Sequence, residues 1–97
     1  MDQKQRGAYY TPTNVARALV RWSVREDSDE LLDPSCGDGE FLQFHRRSFG
    51  CELDPASAVA AIQRTRPNQL VVGDFFAHAE QSKKRFDCVV GNPPFIR

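Results

Sequence analysis

Short apolar runs alternate with helical patterns along almost the whole chain, and this alternation narrows the fold more than any other feature. Thr13 opens a helical pattern that sets Val15, Ala18, Leu19 and Trp22 on one face. Thr11 or Thr13 is placed to cap that helix, and Pro12 suits a first turn. The stretch Arg25 to Asp29 ends it, and Glu30-Leu31-Leu32-Asp33 reads as a short buried strand. Pro34 to Gly39 is a glycine-bearing turn, and Glu40 to Arg46 has the composition of a short helix. Ser48 to Leu53 reads as a second strand. Asp54 then caps an alanine-rich helix with Pro55 at its first position, running to about Arg64. Gln69 to Val72 and Phe86 to Val90 are the third and fourth strands, with a loop between them. Strands alternating with helices predict an α/β fold around a parallel sheet.

One connection is tight. Residues 34 to 47, fourteen in all, separate the first strand from the second. That is just above the roughly 10–12 residues a parallel crossover needs, so its helix has about two turns at most. With 97 residues, the chain has room for at most one small domain. It divides into an N-terminal segment, residues 1–12, and an α/β portion, residues 13–97. Thirteen basic residues balance thirteen acidic ones, which leaves no electrostatic footprint for a nucleic acid. If the protein acts on DNA, most phosphate contacts come from elsewhere. The three cysteines, Cys36, Cys51 and Cys88, are odd in number and far apart, which argues against a disulfide framework or a zinc knuckle. They read as reduced thiols of a cytoplasmic protein. No run approaches 18 apolar residues, and the N-terminus lacks the apolar core of a signal peptide, so no membrane partner is expected.

Four segments carry chemistry. In Leu31 to Phe41 a buried strand enters a turn containing Gly37 and Gly39, then a helical segment. Glycines let a backbone approach a ligand, and a helix N-terminus offers free N–H groups to a carboxylate. The dinucleotide fingerprint G-x-G-x-x-G is absent, and the same turn serves as an ordinary strand-to-helix connection. In Gly50 to Pro55, Glu52 ends the second strand, where a carboxylate can accept from ribose hydroxyls or simply meet solvent. Asp54 reads as a cap. In Val71 to Phe76, Asp74 and Phe75 follow the third strand, an acid and an aromatic suited to an adenine ring, with Phe76 expected in the core. In Phe86 to Phe95, Asn92 precedes Pro93 and Pro94. The prolines hold an extended path and leave their carbonyls free to accept. The Asn92 side chain and the Pro93 carbonyl form a fixed acceptor pair for a planar amine, beside the aromatic face of Phe95. His45 and His78 have no motif context.

In this order and spacing the four segments resemble class I S-adenosylmethionine-dependent methyltransferases. The Asn92-Pro93-Pro94-Phe95 ending is similar to the adenine-specific DNA amino methyltransferases. Gly7 to Pro12, with Tyr10-Thr11-Pro12 ahead of the glycine turn, resembles the segment that opens restriction-modification adenine methylases of the gamma-like order. The resemblance spans about Gly7 to Phe95. It implies S-adenosylmethionine as cofactor and a Rossmann-like three-layer sandwich with strands ordered 3-2-1-4. It implies that Tyr10 and Thr11 lie at the cofactor, with Thr11 on the methionine carboxylate. Asp33, Pro34, Cys36, Gly37 and Gly39 would surround the methionine end. Glu52 and Leu53 would meet the ribose, and Asp74 and Phe75 the cofactor's adenine. Asn92, Pro93 and Pro94 would hold the target amine while Phe95 stacks on a flipped base.

The implied activity is methyl transfer to the exocyclic amine of adenine in DNA. RNA guanine and protein glutamine amino methyltransferases share an Asn-Pro-Pro-aromatic ending and form the alternative, as does a non-catalytic remnant that binds cofactor or a partner. The family sheet has seven strands, and only the first four are legible here. The expectation is therefore a truncated fold whose DNA contacts come from a C-terminal recognition region or a second chain. A complementing methyltransferase half or a restriction-system subunit would be that partner. No metal is expected.

Overall fold

A computed structural model describes residues 11–65 and 70–92. Helix α1 (Thr13–Ser23) leads into β1 (Leu31–Asp33), a 3₁₀ turn (Leu42–Phe44), β2 (Ser48–Glu52), α2 (Pro55–Arg64), β3 (Leu70–Val72), α3 (Phe75–Ser82) and β4 (Cys88–Val89). The strands form one parallel sheet in the order β3-β2-β1-β4, as expected. The register pairs Leu31 with Ser48 and Cys88, and Cys51 with Val71.

Alternation along the strands assigns the two faces. Leu31 packs with Ala16, Val20 and Phe41 beneath α1, and Leu70 packs with Cys36, Leu42 and Ala61 beneath α2. Leu32, Phe49, Cys51, Val71 and Val89 face the other way, toward α3. Gly50 is required where β2 passes the 3₁₀ turn, since a Cβ there would meet Leu42 Cδ1 at 2.5 Å and Cys36 Sγ at 3.0 Å.

Helix α2 follows its local signals. Asp54 accepts from the Ser57 N–H at 3.0 Å and from its hydroxyl at 2.8 Å, with Pro55 in the first turn. Helix α1 differs from expectation in two ways. Its buried residues are Ala16 and Val20, whereas Val15, Ala18, Leu19 and Trp22 are exposed, Trp22 at 85%. Small Ala16 lets the helix lie close to Leu31 and Phe41, and that packing sets its rotation. Pro12 occupies the cap position, and neither Thr11 nor Thr13 caps through its side chain.

Three further expectations are corrected. Glu40 to Arg46 forms a single 3₁₀ turn instead of an α-helix, because the short crossover must already return to the sheet at Ser48. The segment between β3 and β4 is helical instead of a loop. Asp74 starts α3 in extended backbone, and Lys83 ends it in the left-handed region at φ 56°. Phe76 is 74% exposed instead of core, since it lies on the outer side of α3 while Phe75 turns inward.

Candidate functional site at the carboxyl ends of the strands

A parallel sheet sends all its strand ends to one edge, and ligands gather there where the strand order reverses. Here the chain steps outward from β1 to β2 to β3, then returns to place β4 on the other side of β1. The reversal therefore lies between β1 and β4, and its loops carry Asp33 to Gly39 and Val90 to Asn92.

Asp33 ends β1 and is only 1% exposed. Its Oδ1 accepts from the Ser35 N–H at 3.1 Å, and its Oδ2 is buried with no partner among the described residues. Burial pushes this carboxyl from the ordinary 3.8 up to about 7, the Ser35 N–H works against that rise and the charge of Glu52 adds to it. Gly91 lies directly over Asp33, since a Cβ on it would come within 2.9 Å of Oδ1 and 3.8 Å of Pro34 Cδ. Burial also pushes the Cys36 thiol well above its ordinary range, and the charges of Asp33 and Glu52 add to the effect. Cys36 is therefore a protonated wall of the turn, not a nucleophile.

The turn after β1 is held by its own amides. Cys36 N–H donates to Cys51 O at 2.9 Å, Gly37 N–H to Glu52 Oε1 at 2.7 Å, and Gly39 N–H to Cys36 O at 2.9 Å. No α-helix begins after Gly39, so the expected helix N-terminus with free N–H groups is replaced by a turn with committed ones. The two glycines have different jobs. Gly39 (φ 87°) packs on α2, where a Cβ would meet Ala61 Cα at 3.2 Å. Gly37 (φ 56°) faces open space, which is where a ligand can reach the turn.

Glu52 joins this turn to the end of β2. Its Oε1 takes the Gly37 N–H, and its Oε2 takes the Asp54 N–H at 2.8 Å. Two backbone donors thus fix the orientation of its carboxylate, which retains lone pairs for further donors. Leu53 beside it is 70% exposed, an apolar surface at the strand end. Asp74 follows β3 with its carboxylate exposed and making no cap bond to α3. Gly73 (φ 147°) opens free space next to it and donates to Glu52 O at 2.8 Å. The Phe75 ring turns under α3 into a cavity of about 260 Å³ lined also by Leu32, Phe49 and Val89.

The N-terminal segment returns to this edge. Asn92 Nδ2 donates to Thr11 Oγ1 at 3.0 Å, across 81 residues of sequence. Thr11, Asp33, Pro34, Cys36, Gly37, Gly39, Glu52, Leu53, Asp74 and Asn92 therefore all belong to the strand-end loops or to the segment docked on them. Phe75 shares the loop after β3, though its side chain serves the cavity. Tyr10, Pro93, Pro94 and Phe95 lie outside the described residues. Sequence reasoning missed Gly73 and Gly91, although a glycine directly after a strand is a readable sign of close backbone approach. Among the described residues no group of three His, Cys, Asp or Glu side chains could hold a metal ion.

Residues 1–62 match the family model described as N-6 DNA Methylase. The chain is 29% identical to the type II methyltransferase M.CvrRI of Paramecium bursaria Chlorella virus XZ-6E, over 99% of its own length and 27% of that protein's. Among solved structures it resembles the type I restriction-modification system methyltransferase subunit from Streptococcus thermophilus, with TM-score 0.70 and 25% identity, over 92% of this chain and 24% of that one. It also shares its fold with an RNA methyltransferase from Salinibacter ruber solved with S-adenosyl-L-homocysteine, with TM-score 0.59 and 24% identity, over 70% of this chain and 52% of that one.

Proposed function

Since the chain belongs to the N-6 DNA methylase family, we propose that it forms the cofactor-binding and amine-holding part of a DNA adenine methyltransferase. The observation that carries this reading is the convergence of Thr11, Asp33, Gly91 and Asn92 at the point where the strand order reverses. S-adenosylmethionine fits the donor set. The buried, unpartnered Asp33 Oδ2 suits a cationic amine, and the open side of Gly37 admits the methionine end. Glu52 is oriented to accept from ribose hydroxyls, with Leu53 as apolar flank, and the uncapped Asp74 carboxylate suits the cofactor's exocyclic amine. When bound, the cofactor supplies an electrophilic methyl group.

The target nitrogen is a poor nucleophile because its lone pair delocalises into the adenine ring. Acceptors at the Asn92 side chain and the Pro93 carbonyl would take its two hydrogens and favour a pyramidal nitrogen with its lone pair exposed. Catalysis on this reading is positioning and hydrogen bonding, with no strong base required. Phe95 would stack on a base turned out of the duplex. With thirteen basic residues balanced by thirteen acidic ones, most phosphate contacts on this reading would come from a further region or a partner such as a restriction-system subunit. On this reading the protein works where its DNA lies, in the cytoplasm of a bacterial or archaeal cell.

The test is transfer of a labelled methyl group to duplex DNA, RNA and peptide by the intact protein. Adenine in duplex DNA is the expected acceptor, and transfer only to RNA or peptide rejects the reading. Calorimetry with S-adenosylmethionine should show binding that Asp74→Ala weakens. Asn92→Ala should lower turnover by roughly 100-fold or more while changing cofactor affinity little. Equal losses in both quantities would remove Asn92 from its assigned role.

A further inference from the structure

An asparagine amide has two ends, and only its oxygen can accept from a target amine. Thr11 Oγ1 meets the nitrogen end of Asn92 at 3.0 Å. We propose that Thr11 helps to set which end of Asn92 faces the substrate, holding Nδ2 so that Oδ1 is turned toward the amine. This rests on the amino methyltransferase reading above and adds a positioning residue to it.

A hydroxyl carries one proton and can also accept. If the Thr11 proton is free, Thr11 can satisfy either end of the amide, donating to Oδ1 or accepting from Nδ2. Once that proton is donated elsewhere, only the accepting role remains, and Asn92 must offer Nδ2. An anionic group of the cofactor, bound beside Thr11, would accept that hydrogen bond. Cofactor binding and the orientation of the amine acceptor are then linked through one oxygen atom. The backbone supports the same geometry. Gly91 is pressed against the buried Asp33 carboxyl, so the residue before Asn92 has little room to shift. Pro12 sits at the cap position of α1, and its carbonyl takes the Ala16 N–H at 2.9 Å, so the residue after Thr11 is anchored too. The hydroxyl and the amide are each one residue from a fixed point.

Thr11→Val keeps the shape and removes the hydroxyl, and Thr11→Ser keeps the hydroxyl. Two readouts are needed in the intact protein. The first is the side-chain amide signal of Asn92 in selectively ¹⁵N-labelled protein, assigned with Asn92→Asp. Thr11→Val should speed exchange of its amide protons by about 10-fold or more, and Thr11→Ser should restore protection. The second is the single-turnover methylation rate at saturating cofactor. It should fall roughly 10-fold to 100-fold in Thr11→Val and recover in Thr11→Ser to within about threefold. A loss confined to cofactor affinity, with the saturated rate and the amide signal unchanged, overturns the proposal and leaves Thr11 as a cofactor ligand only. If wild-type protein transfers no methyl group to adenine, the functional reading fails, and the amide exchange still decides whether Thr11 holds Asn92.

Discussion

On the face of the sheet beneath α1 and α2, Leu31, Leu42 and Ala61 are almost fully buried and the helices meet the strands directly. On the face beneath α3, no helix residue is buried, Val89 is 61% exposed, and a cavity of about 260 Å³ lies between helix and sheet. The strand-end loops follow the same division. The turn after β1 commits its amides to Cys51, Glu52 and Cys36, whereas the Asp74 side chain after β3 makes no cap bond and is exposed. The half of the site that would hold the methionine and ribose is therefore built in advance, and the half that would read adenine rests on a thinly supported helix. Preorganised donors need no rearrangement when a ligand arrives.

The largest expected effect tests whether the two faces differ in stability as they do in packing. Leu31→Ala empties a site shared with Ala16, Val20 and Phe41 and should cost about 2–5 kcal/mol. Phe76→Ala removes a larger side chain that is 74% exposed, and should change stability by less than about 0.5 kcal/mol. Urea titration of both variants measures the ratio. Comparable losses would break the comparison, because they would mean that α3 is docked as firmly as α1.

Asp33 sharpens it, as the one carboxylate buried on the packed side among the described residues. Its folded-state carboxyl titrates at about 7 against an ordinary 3.8. The folded protein therefore keeps a proton that the unfolded chain has released between about pH 4 and 7. The stability contribution is full below pH 4 and is lost as pH rises through 7. Asp33→Asn stays neutral and should flatten that slope, gaining on the order of 1–4 kcal/mol over wild type at pH 8 and little at pH 4. Denaturation midpoints at the two pH values measure it. Parallel slopes would show that Asp33 is solvated in the native state.

Features set by neighbouring residues were legible in the sequence, and those set by distant packing were not. Asp54, Pro55 and Ser57 specify the start of α2 within four positions, and the structure keeps that start. The sheet order follows from strands alternating with helices together with the motif resemblance. The rotation of α1 is different. Val15, Leu19 and Trp22 form the more apolar stripe, yet Ala16 and Val20 are buried, because Phe41 and Leu31 are shaped to receive them. Helix α3 ends at Lys83, a left-handed residue that is not glycine, so its stop carried no sequence signal. Among the candidate site residues, Glu52 and Asp74 were legible as acids at strand ends, a local pattern, and the structure puts both at strand ends. The link between Thr11 and Asn92 joins positions 81 residues apart, and no periodicity or spacing encodes it.

The smallest expected effect concerns what holds the open face together. Lys84 Nζ lies 4.9 Å from the Phe49 ring centroid and 5.6 Å from that of Phe86, while pairing with Glu30 at 3.0 Å. One cation thus bridges two aromatic rings at the cavity and a carboxylate beside β1. An ammonium over an exposed ring contributes about 0.5–1 kcal/mol, and a surface ion pair about the same or less. Lys84→Met keeps the apolar stem and removes the charge, so it should cost about 1 kcal/mol at low salt. The ion-pair share should fade in 1 M salt, where screening reaches only about 3 Å, leaving the aromatic share. A loss of stability that persists in part at high salt would show that the cation contributes to closing this face, as Arg17 over Phe44 does beside the packed core under α1. A gain of stability would show the reverse: that the cavity accepts an apolar side chain in place of the charge, and that the two faces differ in how full they are and not in the kind of force that closes them.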